Sequence, residues 1–183
     1  MAKATKKIEE IIDVPEGIES NFDNNTINVK GPKGTLSRIF KAPIGIKVEN
    51  KKIILSASKS KKREKKMLYT IKAHILNMFK GVKQGFTYKL QICFVHFPST
   101  VTIDKQKNLF IIKNFLGEAK ERTSKILPGV NASIEKDVII ISGCNIETTG
   151  QTAANLETAT KIRSRDMRVF QDGIFISEKP GKE

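Results

Sequence analysis

Six bases and a single acid share the stretch Lys59-Ser60-Lys61-Lys62-Arg63-Glu64-Lys65-Lys66, and a second basic set, Lys161, Arg163, Arg165 and Arg168, stands toward the carboxyl end. Clusters of this kind neutralise several phosphates at once and release the counterions condensed on a nucleic acid. A solvated loop or a nuclear-localisation signal is the alternative for the first cluster. For the second it is a helix end, where cations complement the macrodipole. Lys30 and Lys33 flank one turn and Lys113 and Lys120 another. Lysine supplies charge with little geometric selectivity, so these four suit phosphate contacts better than base readout.

Other residues that could do chemistry lack the spacing for it. Gly31-Pro32-Lys33-Gly34-Thr35 is too short for a P-loop and follows no βαβ pattern. His74 and His96 are the only histidines, and neither stands at metal-ligand spacing from a cysteine or from the other. Asp166 and Asp172 form an imaginable acid pair, but no nucleophile or metal ligand accompanies them. Phe94-Val95-His96-Phe97 matches the end of the aromatic motif of RNA-recognition domains, whereas Leu90-Gln91-Ile92-Cys93 fails the preceding positions. These aromatics are therefore expected in the core. No catalytic residue, cofactor or metal is expected, and a binding or structural role is favoured over an RNA-modifying enzyme.

Charge points to the same class of partner. A formal net charge of +14 and a pI near 9.8 drive association with polyanions, nucleic acid first among them. A membrane partner is not expected, because neither an amphipathic basic helix nor a long apolar run occurs. The start, Met-Ala-Lys-Ala-Thr-Lys-Lys, carries bases with no apolar segment behind them, unlike a secretory signal. Cys93 and Cys144 are isolated and read as reduced packing residues. The expected compartment is the cytosol or nucleus.

The elements that must position these residues occur twice. Pro15/Pro98, Ile27/Phe110, Val29/Ile112, Lys30/Lys113 and Gly34/Gly117 match at a separation of 83 residues, and Pro43/Pro128 at 85, as one loop insertion would produce. At the latter spacing Lys51 to Leu55 lies over Lys136 to Ile140. The 183 residues thus divide into a basic tail (1–7), two similar domains (8–84 and 85–176) and a loose polar tail (177–183). In the first domain, Thr26–Lys30 and Thr35–Lys41 read as a hairpin about Gly31-Pro32-Lys33-Gly34, and 44–49 and 53–57 as two more strands. Apolar residues at 68, 71, 75, 78 and 79 predict a helix from Lys65 to Lys80, stopped by Gly81.

In the second domain, Phe86, Tyr88, Leu90, Ile92 and Phe94 share one face of a half-buried strand. Strands at 101–103 and 109–113 follow, then a turn at Asn114-Phe115-Leu116-Gly117 and a returning strand from Ala119 to Ile126 that carries Lys120, Arg122 and Lys125. Two more strands, 130–134 and 138–142, precede a helix from Thr152 to Phe170 with Leu156, Ala159, Ile162, Met167 and Phe170 in its core. The fold class is α+β: two tandem similar domains from an internal duplication, each a small, mainly antiparallel sheet packed with one helix.

Several motifs together resemble one family. Val29-Lys30-Gly31-Pro32-Lys33-Gly34-Thr35-Leu36 and Asn77-Met78-Phe79-Lys80-Gly81-Val82 are similar to the first half of the universal L-six family of large-subunit ribosomal proteins, called L-nine in eukaryotes. Tyr88-Lys89, His96-Phe97-Pro98, Asn114-Phe115-Leu116-Gly117-Glu118 and Asp166 to Phe175 follow in the order of its second half. The last resembles the archaeal and eukaryotic form, since the bacterial closing stretch Pro-Tyr-Lys-Gly-Lys-Gly is missing after Phe175. The resemblance implies a structural constituent of the large ribosomal subunit. It would bind rRNA near the sarcin-ricin loop and support the translation-factor region, helping translation GTPases only indirectly. Neighbouring large-subunit and stalk-base proteins are the implied protein partners. The implied location is the cytoplasmic ribosome, reached through the nucleus and nucleolus in a eukaryote. A free RNA-binding regulator or ribosome-assembly factor is the alternative.

Carried over onto this chain, the resemblance places most RNA contact in the second domain, at 114–120 and 163–168, with the first facing outward. Combined with the charge pattern, the expected rRNA-binding residues are Lys59, Lys61, Lys62, Arg63 and Lys65; Lys113, Asn114, Lys120 and Arg122; Lys161, Arg163, Arg165 and Arg168; and Lys179.

Overall fold

β-branched residues alternating with polar ones produce thirteen strands among the described residues, and two apolar-striped segments produce helices. A computed structural model of the chain describes residues 8–40, 43–49, 52–57, 61–166 and 168–181. It resolves into two units, Met1–Gly85 and Phe86–Glu183. The basic tail at 1–7, Lys59 and Met167 lie outside the described residues.

The first unit contains β1 (Ile8–Asp13), β2 (Glu19–Asp23), β3 (Thr26–Gly31), β4 (Gly34–Ile39), β5 (Gly45–Glu49), β6 (Lys52–Ala57) and α1 (Lys62–Lys83). Its strands form two antiparallel sheets, ordered β1-β6-β5 and β2-β3-β4. Ile27 and Val29 of β3, Ile53 and Leu55 of β6, and Leu68, Ile75 and Val82 of α1 are at most 1% exposed and share one core. Each such burial stabilises by about 1.5–3 kcal/mol, so this apolar stripe fixes the helix against the sheets. At its margin Glu10 accepts hydrogen bonds from Tyr69 Oη (3.2 Å) and Lys72 Nζ (2.7 Å), tying β1 to α1. The hydrogen bond from Lys72 holds the Glu10 carboxyl below its usual range.

The second unit contains β7 (Phe86–Cys93), β8 (Thr100–Asp104), β9 (Leu109–Lys113), a 3-10 turn (Phe115–Gly117), β10 (Arg122–Lys125), β11 (Val130–Glu135), β12 (Val138–Gly143), α2 (Ile146–Ala159) and β13 (Gly173–Glu178). A three-stranded sheet, β10-β9-β8, repeats the meander β2-β3-β4. The sheet β11-β12-β7-β13 repeats β5-β6-β1 and adds β13 on the free side of β7. Leu90, Phe110, Ile112, Phe115, Ile139, Ile141, Leu156 and Ile174 are fully buried at its centre.

The α+β class and the duplication are thus observed, with corrections in detail. Each unit carries two sheets, not one, and β1, β2 and β13 are strands that the sequence reading leaves unassigned. Separation 83 pairs buried Ile27 with Phe110 and Val29 with Ile112, as read. In the later strands the buried faces correspond as Ile53 with Ile139 and Leu55 with Ile141, a separation of 86, not 85. Strand side chains alternate, so an offset wrong by one residue would turn the buried face outward.

Both predicted helices have different ends. Helix α1 starts three residues earlier than Lys65 and runs through Gly81 to Lys83, and Gly81 is buried inside it. The stop falls at Gly85, whose φ of +75° is left-handed and whose N–H donates to the Gly81 carbonyl at 2.9 Å. Helix α2 begins at Ile146, with Asn145 Oδ1 accepting the Glu147 N–H at 3.0 Å, and ends at Ala159. Ile162 and Phe170 still pack on the core, but as parts of a non-helical segment. Ser177 and Glu178, expected in the loose tail, belong to β13.

Candidate nucleic-acid interface

The two basic clusters stand on different kinds of backbone. Among the described residues of the first, Lys61 is the N-cap of α1 and Lys62, Arg63, Lys65 and Lys66 occupy its first turns, all exposed. Lys61 offers no side-chain cap. Cations at the positive end of a helix repel its dipole, and only Glu64 in that turn opposes them. The concentrated positive field is therefore maintained against local helix stability, and a polyanion would relieve it.

The second cluster is not at the end of a helix. Lys161, Arg163, Arg165 and Arg168 lie beyond α2, in the irregular segment that leads to β13, and all four are exposed. Complementing the α2 dipole therefore does not account for them, since the last turn of α2 contains no basic residue. The segment leaves the helix because its backbone is claimed from elsewhere. Arg122 Nη1 donates to the carbonyls of Ala159 (3.0 Å) and Lys161 (3.2 Å). Buried Thr160 accepts the Ile174 N–H on Oγ1 at 3.0 Å and so anchors β13 beside the helix end.

Within the segment, the Asp166 carbonyl accepts the N–H groups of Val169 (3.2 Å) and Phe170 (3.0 Å), and its Oδ1 accepts that of Arg168 (2.9 Å). The Arg165 guanidinium lies 4.9 Å from the Phe170 ring centre, and that ring lies 4.8 Å from His96. His96 Nδ1 is 2.7 Å from Asp172 Oδ2. Asp172 Oδ1 accepts the N–H groups of Val95 (2.7 Å) and His96 (3.1 Å). Burial alone would raise the Asp172 carboxyl, but the hydrogen bonds from His96 and Val95 outweigh it and hold the group below its usual range. The acid pair imagined for Asp166 and Asp172 is thus two separate devices, one capping a turn and one fixing a histidine.

Around the 3-10 turn, Asn114 and Leu116 adopt left-handed backbone conformations (φ 56° and 50°). Asn114 Nδ2 donates to the Pro98 carbonyl and Ser99 Oγ donates to the Asn114 carbonyl, each at 3.0 Å. Phe115 is buried beneath the Arg122 guanidinium, 4.3 Å from the ring centre. Arg122 also forms a fork with Glu118, Nε to Oε2 at 2.8 Å and Nη2 to Oε1 at 2.6 Å. These bonds, supported by the charges of Arg122 and Arg165, hold the Glu118 carboxyl low against partial desolvation.

Four of the five donor hydrogens of Arg122 are therefore committed inside the protein. It brings the turn at 114–118 and the start of the basic segment together. Lys113 pairs with Glu121 at 2.9 Å, but both side chains are about half exposed, so the pair contributes little to stability. Lys120 is exposed, and Lys179 is exposed just past β13. In the first unit Lys30 is exposed on β3, whereas Lys33 turns back onto α1: its N–H donates to the Val82 carbonyl at 3.1 Å and its Nζ to the Gln84 carbonyl. Lys33 thus serves as a clasp for the end of α1.

His96, Thr160, Phe170 and Asp172 organise this surface, and charge and spacing do not single them out. The signal for His96, Phe170 and Asp172 lies in two sequence motifs, His96-Phe97-Pro98 and Asp166 to Phe175, which the β7–β13 pairing brings together, whereas Thr160 lies in neither. Phe97 departs from its expected place in the core, being 44% exposed. Among the described residues there is no group of three or more His, Cys, Asp or Glu able to hold a metal, and no helix is long and apolar enough to cross a membrane.

Comparison with known proteins extends the duplication seen in the strands. The sequence profile of the family described as Ribosomal protein L6 matches residues 14–85 and again 97–173. The large ribosomal subunit protein uL6 of Methanobrevibacter smithii is 46% identical over 94% of this chain and 96% of its own. The proteins of the same name from Methanococcus vannielii, 44% identical over 96% of each chain, and Desulfurococcus amylolyticus, 41% identical over 94% of this chain and 95% of its own, are similar along nearly their whole length. With both repeats matched and this identity sustained from end to end, the chain belongs to the ribosomal protein L6 family.

Proposed function

We propose that the chain is a structural constituent of the large ribosomal subunit, with no chemistry of its own, that binds rRNA near the sarcin-ricin loop and supports the translation-factor binding region. The observation that carries the RNA-binding part is the braced basic segment at 161–168. Its cations are exposed, while Arg122 holds the Lys161 carbonyl at its start and the Asp166 carboxylate accepts the Arg168 N–H at its end. Preorganised cations lose little entropy on binding and can screen phosphate repulsion between RNA helices. Arg163, Arg165, Arg168, Lys161, Lys113, Asn114 and Lys120 would form the main contact, with the first turns of α1 and Lys179 as secondary phosphate contacts. Arg122 would act from behind, holding the two parts of the surface in register.

Neighbouring large-subunit and stalk-base proteins would be its protein contacts, and translation GTPases would benefit only through the shape of the RNA. Its place would be the ribosome, with nuclear and nucleolar transit in a eukaryote. Sedimentation of a native lysate through sucrose gradients, followed by high-salt washing of the separated subunits, tests the assignment. Salt-resistant, near one-to-one presence in large subunits and polysomes is expected. Residence in light fractions, or only in precursor particles, would instead identify a free regulator or assembly factor.

A further inference from the structure

We infer that Phe97 is a stacking platform for an unpaired nucleobase of the bound RNA, an inference that rests on the RNA-binding role proposed above. Phe97 is 44% exposed although it lies in a braced segment. A Cβ built on Gly117 would lie 3.7 Å from both Cε1 and Cζ of Phe97 and 3.9 Å from Cε2. Such nearly equal distances place Gly117 over the outer part of one ring face, not beyond the ring edge. Gly117 itself has a φ of +76°, which a side chain would strain. One face of Phe97 is thus turned to a residue without a side chain, leaving its exposed area for a planar partner.

The seat is held from both sides. Pro98 and Ser99, next to Phe97, bond to Asn114 by its side chain and its carbonyl, each at 3.0 Å. Thr100 pairs with Lys113 across β8 and β9, and Lys120 follows three residues after Gly117, so cations flank the ring in sequence and register. The nearby acids Glu118 and Glu121 are already bound by Arg122 and Lys113. An aromatic ring held rigid beside lysines matches the way single-stranded and looped RNA is recognised, by stacking of splayed bases with phosphates held alongside. An apolar protein partner would not require the cations.

The test uses the full chain and large-subunit rRNA purified from ribosomes, with affinity measured across a salt series for wild type, Phe97→Ala, Phe97→Leu and Phe97→Trp. Base–aromatic stacking predicts roughly a 5- to 150-fold loss for Phe97→Ala. Phe97→Leu should show a similar loss, Phe97→Trp should retain binding, and the salt slope should be unchanged, since stacking releases no counterions. Equal affinity of Phe97→Ala and wild type overturns the stacking role while leaving salt-dependent rRNA binding intact. Full retention by Phe97→Leu also overturns it, because an aliphatic side chain could then substitute for the ring. If wild type itself shows no salt-dependent affinity, the RNA-binding role fails first. Circular dichroism melting of each variant separates a folding defect from a binding one.

Discussion

The buried carboxylate of Asp172 holds His96 at both ends of its residue: Oδ2 lies 2.7 Å from the ring Nδ1, and Oδ1 accepts the His96 backbone N–H at 3.1 Å. A carboxylate has no hydrogen to give, so the ring Nδ1 carries it and donates to Oδ2. The ring packs against Phe170, 4.8 Å between ring centres, and the Phe170 ring centre lies 4.9 Å from the Arg165 guanidinium. A buried acid thereby sets the position of an exposed cation.

Replacing Asp172 by Asn should destabilise the protein by about 1–3 kcal/mol, since one charged acceptor serving three donors is lost in a buried place. Urea unfolding at neutral pH measures this. The pH dependence has a defined sign. A carboxyl lowered from its ordinary value of 3.8 contributes stability that is present above that pH and is lost as pH falls through the lower folded value. The acid limb of the wild-type stability curve should therefore be steeper below pH 3.8 than that of Asp172→Asn. Parallel limbs would mean that another group carries the acid sensitivity.

Arg122→Lys should behave as a severe substitution despite keeping its charge. An ammonium cannot fork onto Glu118 and also reach the carbonyls of Ala159 and Lys161. The expected cost is about 1–3 kcal/mol in chemical denaturation. Combined with Glu118→Gln, the two effects should fall short of additivity, as residues of one network do. Full additivity in that double-mutant cycle would show that the fork contributes nothing measurable.

Arg163, Arg165 and Arg168 changed together to Ala should leave stability nearly unchanged, because the fastening of their segment comes from other residues. Affinity for large-subunit rRNA should drop, and the slope of log K against log salt should shrink by roughly 2 to 3, at about 0.7–0.9 ions for each lost phosphate contact. An unchanged slope would remove these arginines from the interface.

Gly31→Ala tests the docking of the first hairpin on α1. An added Cβ would overlap Val82 Cγ1, a side chain with no solvent exposure. Overpacking of this kind costs about 1–3 kcal/mol. Val82→Ala should partly rescue it, so that the double variant is more stable than the sum of the single effects predicts. Thermal melting of the three variants gives the comparison.

Sequence by itself determined the α+β class, the duplication, most strands and the family. Those readings depend on local alternation, on turn residues and on matches that recur in order, all of which survive without knowledge of distant contacts. The tertiary structure decided where the elements stop and what the charges are for. Ile162 and Phe170 keep a helical apolar rhythm after Leu156, yet the helix ends at Ala159 because Arg122 takes its carbonyls and Ile174 bonds to Thr160. Gly81 has the composition of a helix stop, but its backbone continues helical and Gly85 takes the left-handed turn. Charge counting places Arg122 among the exposed contacts, whereas most of its donors are taken by Glu118, Ala159 and Lys161. Residues far apart in sequence made those choices, and no local periodicity records which backbone group a distant side chain will claim.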